Sequence, residues 1–479
     1  MTKKTFFIKL ILWIIFTVLF IGAAYGSFFI WKVNEMENKI KINQDKNVSL
    51  LDTVKNLALP DHQINLKQSQ KNRINILLLG IAGTNKAGKN LTDTLMIVSI
   101  NTKTNQIAML SIPRDLYVNI PDANFKSKIN TVYQYGLEQS PDDMGKAMEP
   151  IKKTVENITS LNMDYWAVMN FDGFWQVVDS IGGINIINKR DIYDSHYPGP
   201  NYSYETFQLK KGFHHLDGAT ALKYARMRHD DPEGDFGRAK RQQQVLQAIK
   251  NKLFSTGTLL NVVTMNKLFD ALGNNLKTNI RLSEFDNFLE LSRKLDTNNI
   301  TNVVIDAWNN NSLLIVSHIF YKNIRAFVLV PRVGNWSETR ELAQNIFSVN
   351  KIKKERQEIS QENASIIVIN KSGKQNVMAR INNLLKNNFG YKNVSIVNDR
   401  NKNLEEKTVI YDLTNGAKPF TLNELVKKLS AQASYNLGDN YKKIITNIKT
   451  DLVVIIGKDL VNRYNMKQDS FEEYNQANK

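Results

Sequence analysis

No cysteine occurs anywhere in the 479 residues, which removes disulfides, thiolate catalysis and thiolate metal sites together. Histidine is scarce as well. His196, His214, His215 and His229 show no H-E-x-x-H or comparable ligand spacing, so no zinc site is expected. GIAGTNKAGK, at 80–89, looks like a phosphate loop, but G-x-x-x-x-G-K-[ST] needs a hydroxyl residue after the lysine and Asn90 stands there. A nucleotide site of that kind is not expected. No internal repeat is evident. Acidic residues are the minority: Lys+Arg 63 against Asp+Glu 46 give a formal net charge of +17. That balance suits an anionic partner, whether nucleic acid, acidic lipid or acidic glycopolymer. The length allows roughly two or three domains of about 100 to 200 residues each.

Charge is missing altogether from 10–31, and about 20 apolar residues suffice to cross a bilayer. Lys3, Lys4 and Lys9 precede this run, while Lys32, Glu35 and Glu37 follow it. The positive-inside bias then makes 1–9 a cytoplasmic tail, 10–31 a single transmembrane helix and the rest extracytoplasmic. The small residues near 22–27 would also suit a cleaved signal peptide, although its apolar region is usually only about 7 to 15 residues.

Residues 32–73 are polar and weakly patterned, a stalk. The apolar run 74–79, broken only by Asn75, reads as a strand covered on both faces. A turn leads into a second strand over 91–100, with a return strand at 106–112. Asp93 stands at the entrance of the second strand, where its plain role is to cap the turn. Pro113-Arg114-Asp115 places a cation and an acid at a strand end, where binding sites of α/β sheets collect. Helical spacing marks 144–161 and 171–181, with strands at 165–170 and 184–187. Residues 194–204 read as a loop, 259–272 and 282–295 as helices with Ser283 capping the second, 327–331 as a strand and 337–347 as a helix. The charged segment 351–363 lacks an apolar period and reads as a linker. Beyond it, 366–369, 376–385 and 394–397 form a βαβ unit, followed by strands at 408–411 and 452–456 around a helix at 422–431. The predicted class is α/β: a mixed central sheet flanked by helices over 74–350, then a smaller α/β domain over 364–460 and a polar tail at 461–479.

The densest chemistry lies in 212–253, GFHHLDGATALKYARMRHDDPEGDFGRAKRQQQVLQAIKNKL. Asp217 can cap a short helix over 218–224. Arg226 and Arg228 follow two apart, which on an extended backbone puts both guanidinium groups on one face. After an acidic loop, Asp235 or Gly237 starts a second helix with the apolar stripe Val245, Leu246 and Ile249. Arg238 and Gln242 lie one turn apart on it. Such a group suits an anion with several oxygens, a phosphate or pyrophosphate. The alternative is a solvated face, or ion pairs with the acidic loop.

Taken together, ALKYARMRHDDPEGDFGRAKRQQQVLQAI resembles the signature of the LytR-CpsA-Psr family, an R-x-R-H/K segment and an acidic loop followed by D-x-x-R-x-x-R-Q. LTDTLMIVSIN, SIPRDLYVNIP, KIN at 128–130 and DYWAVMNFDGFWQVVDSIGGINI resemble the same family. In the tail, IIVINKSGKQNVMARINNLL, VIYDLTNGAKP and TDLVVIIGKDL resemble the LytR C-terminal domain often appended to it. The resemblance implies a membrane-bound phosphotransferase that moves a glycopolymer from a polyprenyl-pyrophosphate carrier to peptidoglycan, forming a phosphodiester. Its partners would be the lipid carrier, peptidoglycan and the membrane, with no nucleic acid. Asp93, Arg114, Arg226 and Arg228 are implied to be catalytic, Asp93 by holding Mg²⁺. Arg114, Arg226, Arg228, Arg238 and Gln242 are implied to bind the pyrophosphate.

Many members carry an aspartate where Ala82 stands and an arginine where Leu91 stands, which leaves the second metal ligand open. Asp115, and Asp93 where metal does not saturate it, are candidates for a general base. Trp166, Phe171, Phe174 and Trp175 are either plain core or the lining of a lipid tunnel. The alternatives in function are a non-catalytic lipid- or glycan-binding scaffold and a polyprenyl-pyrophosphate hydrolase; the topology disfavours a transcriptional regulator. Because these site residues all precede Asn350, the region after 363 is expected to be dispensable for chemistry.

Overall fold

The computed structural model describes residues 66–463, apart from 85, 87, 124, 200–202, 229–230, 254–261, 282–283, 308–311, 322–323, 375, 398–402 and 447. The apolar run 10–31, most of the stalk, His229, Ser283 and the tail beyond 463 lie outside the described residues. Among those described, no helix is long and apolar enough to cross a membrane. The chain forms two compact units, one from the residues up to Asn90 with Asp164–Asp296, the other from Leu91–Met163 with residues 297 onward.

In the first unit, strand Arg73–Ile81 pairs in parallel with Tyr165–Asn170, from Ile76↔Tyr165 to Ile81↔Asn170. Leu276–Thr278 pairs antiparallel on the other edge of Tyr165–Asn170, making the arrangement mixed. Ile74, Leu77 and Leu79 are buried, as the near-continuous apolar run predicts for a strand covered on both faces. Helix Phe171–Ser180 starts directly off its strand, with the Asn170 side chain accepting from Gly173 N at 2.8 Å. Asp217 caps helix Gly218–Arg226 as expected, its Oδ1 accepting from Thr220 N at 2.8 Å. Asp217→Ala is therefore expected to cost about 1 kcal/mol, read as a lower denaturant midpoint; an unchanged midpoint would show that the cap contributes nothing.

Gly218 lets its helix approach helix Phe171–Ser180 closely, since a Cβ there would come within 2.2 Å of Trp175. Helix Gly234–Leu253 and the hairpin Ile184–Asn188 with Gly212–Leu216 close the core around Val178, Ile184, Leu216, Tyr224 and Val245. Of the four aromatics, Trp166 is buried, Phe171 and Phe174 are half-buried and Trp175 is exposed.

The second unit pairs Thr92–Asn101 antiparallel with Gln106–Ile112, from Leu95↔Ile112 to Asn101↔Gln106. Helix Met144–Thr159 packs on Val132–Gln139 at Gly136, where a Cβ would meet the Ala147 carbonyl at 2.0 Å. Farther along is a five-stranded mixed sheet in the order Asn393–Val397, Ser365–Asn370, Leu452–Ile456, Val409–Asp412, Gln432–Ser434. Its central strand is buried throughout: Leu452, Val454 and Ile456 enter one apolar cluster, while Val453 and Ile455 enter another. Successive side chains of a strand point to opposite faces, so this sheet is covered on both sides.

Four local readings need correction. Residues 194–204 are not a plain loop but part of the hairpin Ile192–Pro198 with Tyr204–Leu209. A register shift between Asp194 and Tyr197 breaks the two-residue alternation that would have revealed it. The segment 351–363 is helical over Val349–Glu362. Little of that helix is apolar. Ile359 packs on the sheet's core, and the Glu362 carboxylate accepts from Phe420 N at 2.8 Å and Thr421 N at 2.7 Å, capping helix Pro419–Leu429. Strand Leu314–Tyr321, paired with Ile324–Pro331, had no expectation at all. Finally, Arg226 is not on an extended segment; it is the last residue of its helix, and the chain turns extended only at Met227.

Candidate functional site

In the second unit, the turn after Gln106–Ile112 brings Arg114 back to Asp93 at the start of the neighbouring strand. Arg114 Nη1 donates to Asp93 Oδ1 at 2.7 Å, and its Nε lies 3.6 Å from Asp115 Oδ2. Asp115 in turn accepts from Lys128 Nζ at 2.6 Å. The result is an alternating row of acid and base: Asp93, Arg114, Asp115, Lys128. Asp93 is thus more than a turn cap, and Lys128 is a member the sequence reading missed as a site residue. The only signal for it was its place in the short KIN segment. Asn130 is bound into the same region, its N–H donating to the Arg114 carbonyl at 3.2 Å and its own carbonyl accepting from Thr92 Oγ1 at 3.2 Å.

In the first unit, Arg226 stacks on the Phe171 ring, with its guanidinium carbon 4.4 Å from the centroid, and donates to the Tyr197 hydroxyl at 3.2 Å. Burial pushes the Tyr197 phenol up while Arg226 beside it pulls the other way, and burial wins. Lys86 approaches Phe171 too, and donates to Asp172 at 2.7 Å. Arg228 is half-buried, and among the described residues neither it nor Arg226 has an ion-pair partner.

The acidic loop is used by other arginines. Asp231 is buried and held by Arg241 and Arg190. Burial pushes its carboxyl up, but these two guanidinium groups outweigh burial and hold it below the ordinary range. Arg241 also donates to the Tyr224 carbonyl at 3.0 Å and to the Met227 carbonyl. That grip fixes the backbone on either side of Arg226. Arg238 is buried and pairs with Asp235 at 3.4 Å. The Gln242 amide donates at 3.3 Å to the Ala225 carbonyl, so it helps to hold Arg226 in place. The two readings of the basic cluster therefore divide: Arg190, Arg238 and Arg241 pair with acids, while among the described residues Arg226 and Arg228 do not.

Among the described residues no three His, Asp or Glu side chains gather as a metal site. Mg²⁺ does not require such a set, since it commonly takes one or two carboxylates and draws its other ligands from phosphate and water. The hard carboxylate oxygens of Asp93 fit that ion.

Several relatives match over the region that carries these residues. The Bacillus subtilis (strain 168) polyisoprenyl-teichoic acid--peptidoglycan teichoic acid transferase TagU is 31% identical over 297 residues, 60% of this chain and 81% of that protein. The regulatory protein MsrR of Staphylococcus aureus (strain COL) is 35% identical over 221 residues, 46% of this chain and 60% of that protein. The crystal structure of B. subtilis TagV is 28% identical, with a TM-score of 0.44, and covers 58% of this chain and 98% of that one. Residues 29–326, more than half of the sequence and including every residue of both clusters, match the LytR_cpsA_psr family as a whole, and to that family the chain belongs.

Proposed function

We propose that this chain is a phosphotransferase that moves a glycopolymer from a polyprenyl-pyrophosphate carrier to peptidoglycan. The observation that carries the reading is the 31% identity to a teichoic acid transferase across 81% of that protein's length. In the proposed reaction an acceptor hydroxyl oxygen attacks the phosphorus bonded to the glycan, and polyprenyl phosphate leaves. Arg114, Arg226 and Arg228 would take the charge that develops on the phosphate oxygens, where fixed donors are most effective, and Arg238, held by Asp235, would support them with its positive charge. Asp93 would hold Mg²⁺, which supplies neutralisation of the phosphate charge. Gln242 supports the binding set through the Ala225 carbonyl. Phe171 and Tyr197 hold the Arg226 guanidinium in one orientation, which lowers the reorganisation needed during reaction.

The test is detergent-extracted protein given a polyprenyl-pyrophosphate oligosaccharide and peptidoglycan fragments. A joined product supports transfer. Free sugar phosphate would mark a hydrolase, and binding without product a scaffold. The proposed setting is the cell membrane, with 10–31 spanning it and the site outside. Protease added to intact spheroplasts is expected to digest the region after Arg73; full protection would overturn that topology.

A further inference from the structure

We propose that Asn130 supplies, through its side-chain Oδ1, a second protein oxygen to the cation held by Asp93. This rests on the reading of Asp93 as a metal ligand and names what stands in for the acid that Ala82 does not provide. Asn130 is 9% exposed. Its backbone is tied at both ends, to Arg114 and to Thr92, the residue preceding Asp93. Among the described residues nothing donates to its buried Oδ1. A buried carbonyl oxygen left unsatisfied is destabilising, so a side chain that only packed would favour an apolar residue here. The group satisfies itself by meeting a donor or a cation. It accepts and cannot donate, so an anionic phosphate oxygen is no partner for it. A hard divalent cation is, because neutral amide oxygens rank with carboxylates among the ligands such ions take.

The experiment is Mn²⁺ titration of the purified full-length protein, followed by the electron paramagnetic resonance of free Mn²⁺, without lipid substrate. The wild type should bind the ion, Asn130→Ala should bind it at least about tenfold more weakly, and Asn130→Asp, which adds charge at the same atom, more tightly. In EDTA, Asn130→Ala should melt at or above the wild type, since it removes an unsatisfied oxygen. Unchanged affinity in both Asn130 variants, with loss in Asp93→Asn, overturns the Asn130 assignment and leaves Asp93 standing. Absence of binding by the wild type, or unchanged binding in Asp93→Asn, overturns both. If Asn130→Ala does not fold, Asn130→Asp alone decides, through the gain or absence of gain in affinity.

Discussion

Arg228→Ala is expected to lower glycan transfer by about 10²- to 10³-fold, or roughly 3 to 4 kcal/mol, while melting like the wild type. Among the described residues Arg228 has no ion pair and no ring contact, so its removal breaks no such contact there. Arg226→Ala should cost as much in turnover but also lowers stability, because it empties the contact with Phe171 and leaves the Tyr197 hydroxyl without its donor. Comparing the two separates chemistry from packing. Lysine at 228 should restore activity only in part, since it keeps the charge but not the planar fork. Gln242→Ala should cost about 1 kcal/mol or less, the scale of one neutral hydrogen bond. Turnover is to be measured beside thermal melting. An Arg228→Ala protein that melts normally and transfers at the wild-type rate removes Arg228 from the site.

The second large effect concerns stability. Glu338→Ala is expected to destabilise the protein by about 3–5 kcal/mol, the range seen when one partner of a buried ion pair is lost. Glu338 accepts from Arg332 twice, at 2.7 and 2.8 Å, and lies 3.2 Å from Lys428 Nζ. Lys428 also bonds Glu424 at 2.7 Å, and Glu424 pairs with Arg356 at 2.7 Å. Arg332, Glu338, Glu424 and Lys428 are all buried, so removing Glu338 takes a doubly bonded carboxylate from Arg332 and one of two acids from Lys428.

Burial pushes the Glu338 carboxyl up, but Arg332 and Lys428 overcome it and hold the carboxyl below its usual range. Its contribution is therefore present above the unfolded pKa of about 4.3 and is lost as pH falls through the lower folded value. The wild type should weaken in acid more steeply than Glu338→Ala. A denaturant midpoint that moves by less than about 1 kcal/mol would place the network's weight elsewhere.

The same contacts change the expectation for the C-terminal region. Val333 packs in the core of the five-stranded sheet and Asn335 donates to the Lys428 carbonyl at 2.8 Å. A chain cut near Lys354 loses Glu424 and Lys428 together with that core, and is expected to lose cooperative melting rather than retain full activity.

By itself the sequence determined whatever depends on neighbours along the chain. The apolar period placed Arg73–Ile81, Tyr165–Asn170 and Leu452–Ile456, because side-chain alternation and burial repeat locally. Capping chemistry placed the start of Gly218–Arg226, because Asp217 acts on an N–H three residues away. Spacing singled out Arg226, Arg228, Arg238 and Gln242, a strand-end position Arg114, and the family resemblance Asp93.

Only the tertiary structure decided which charges meet. Asp93 and Arg114 are 21 residues apart, and Arg190 and Asp231 are 41 apart. No local pattern states that Arg241 grips the Tyr224 and Met227 carbonyls. Helix Val349–Glu362 escaped the sequence reading for the same reason. Its stabilising contacts, Ile359 in a core, Arg356 on Glu424 and Glu362 at the head of another helix, all lie with residues distant in the chain. A helix held by long-range ion pairs and caps leaves little apolar period to read.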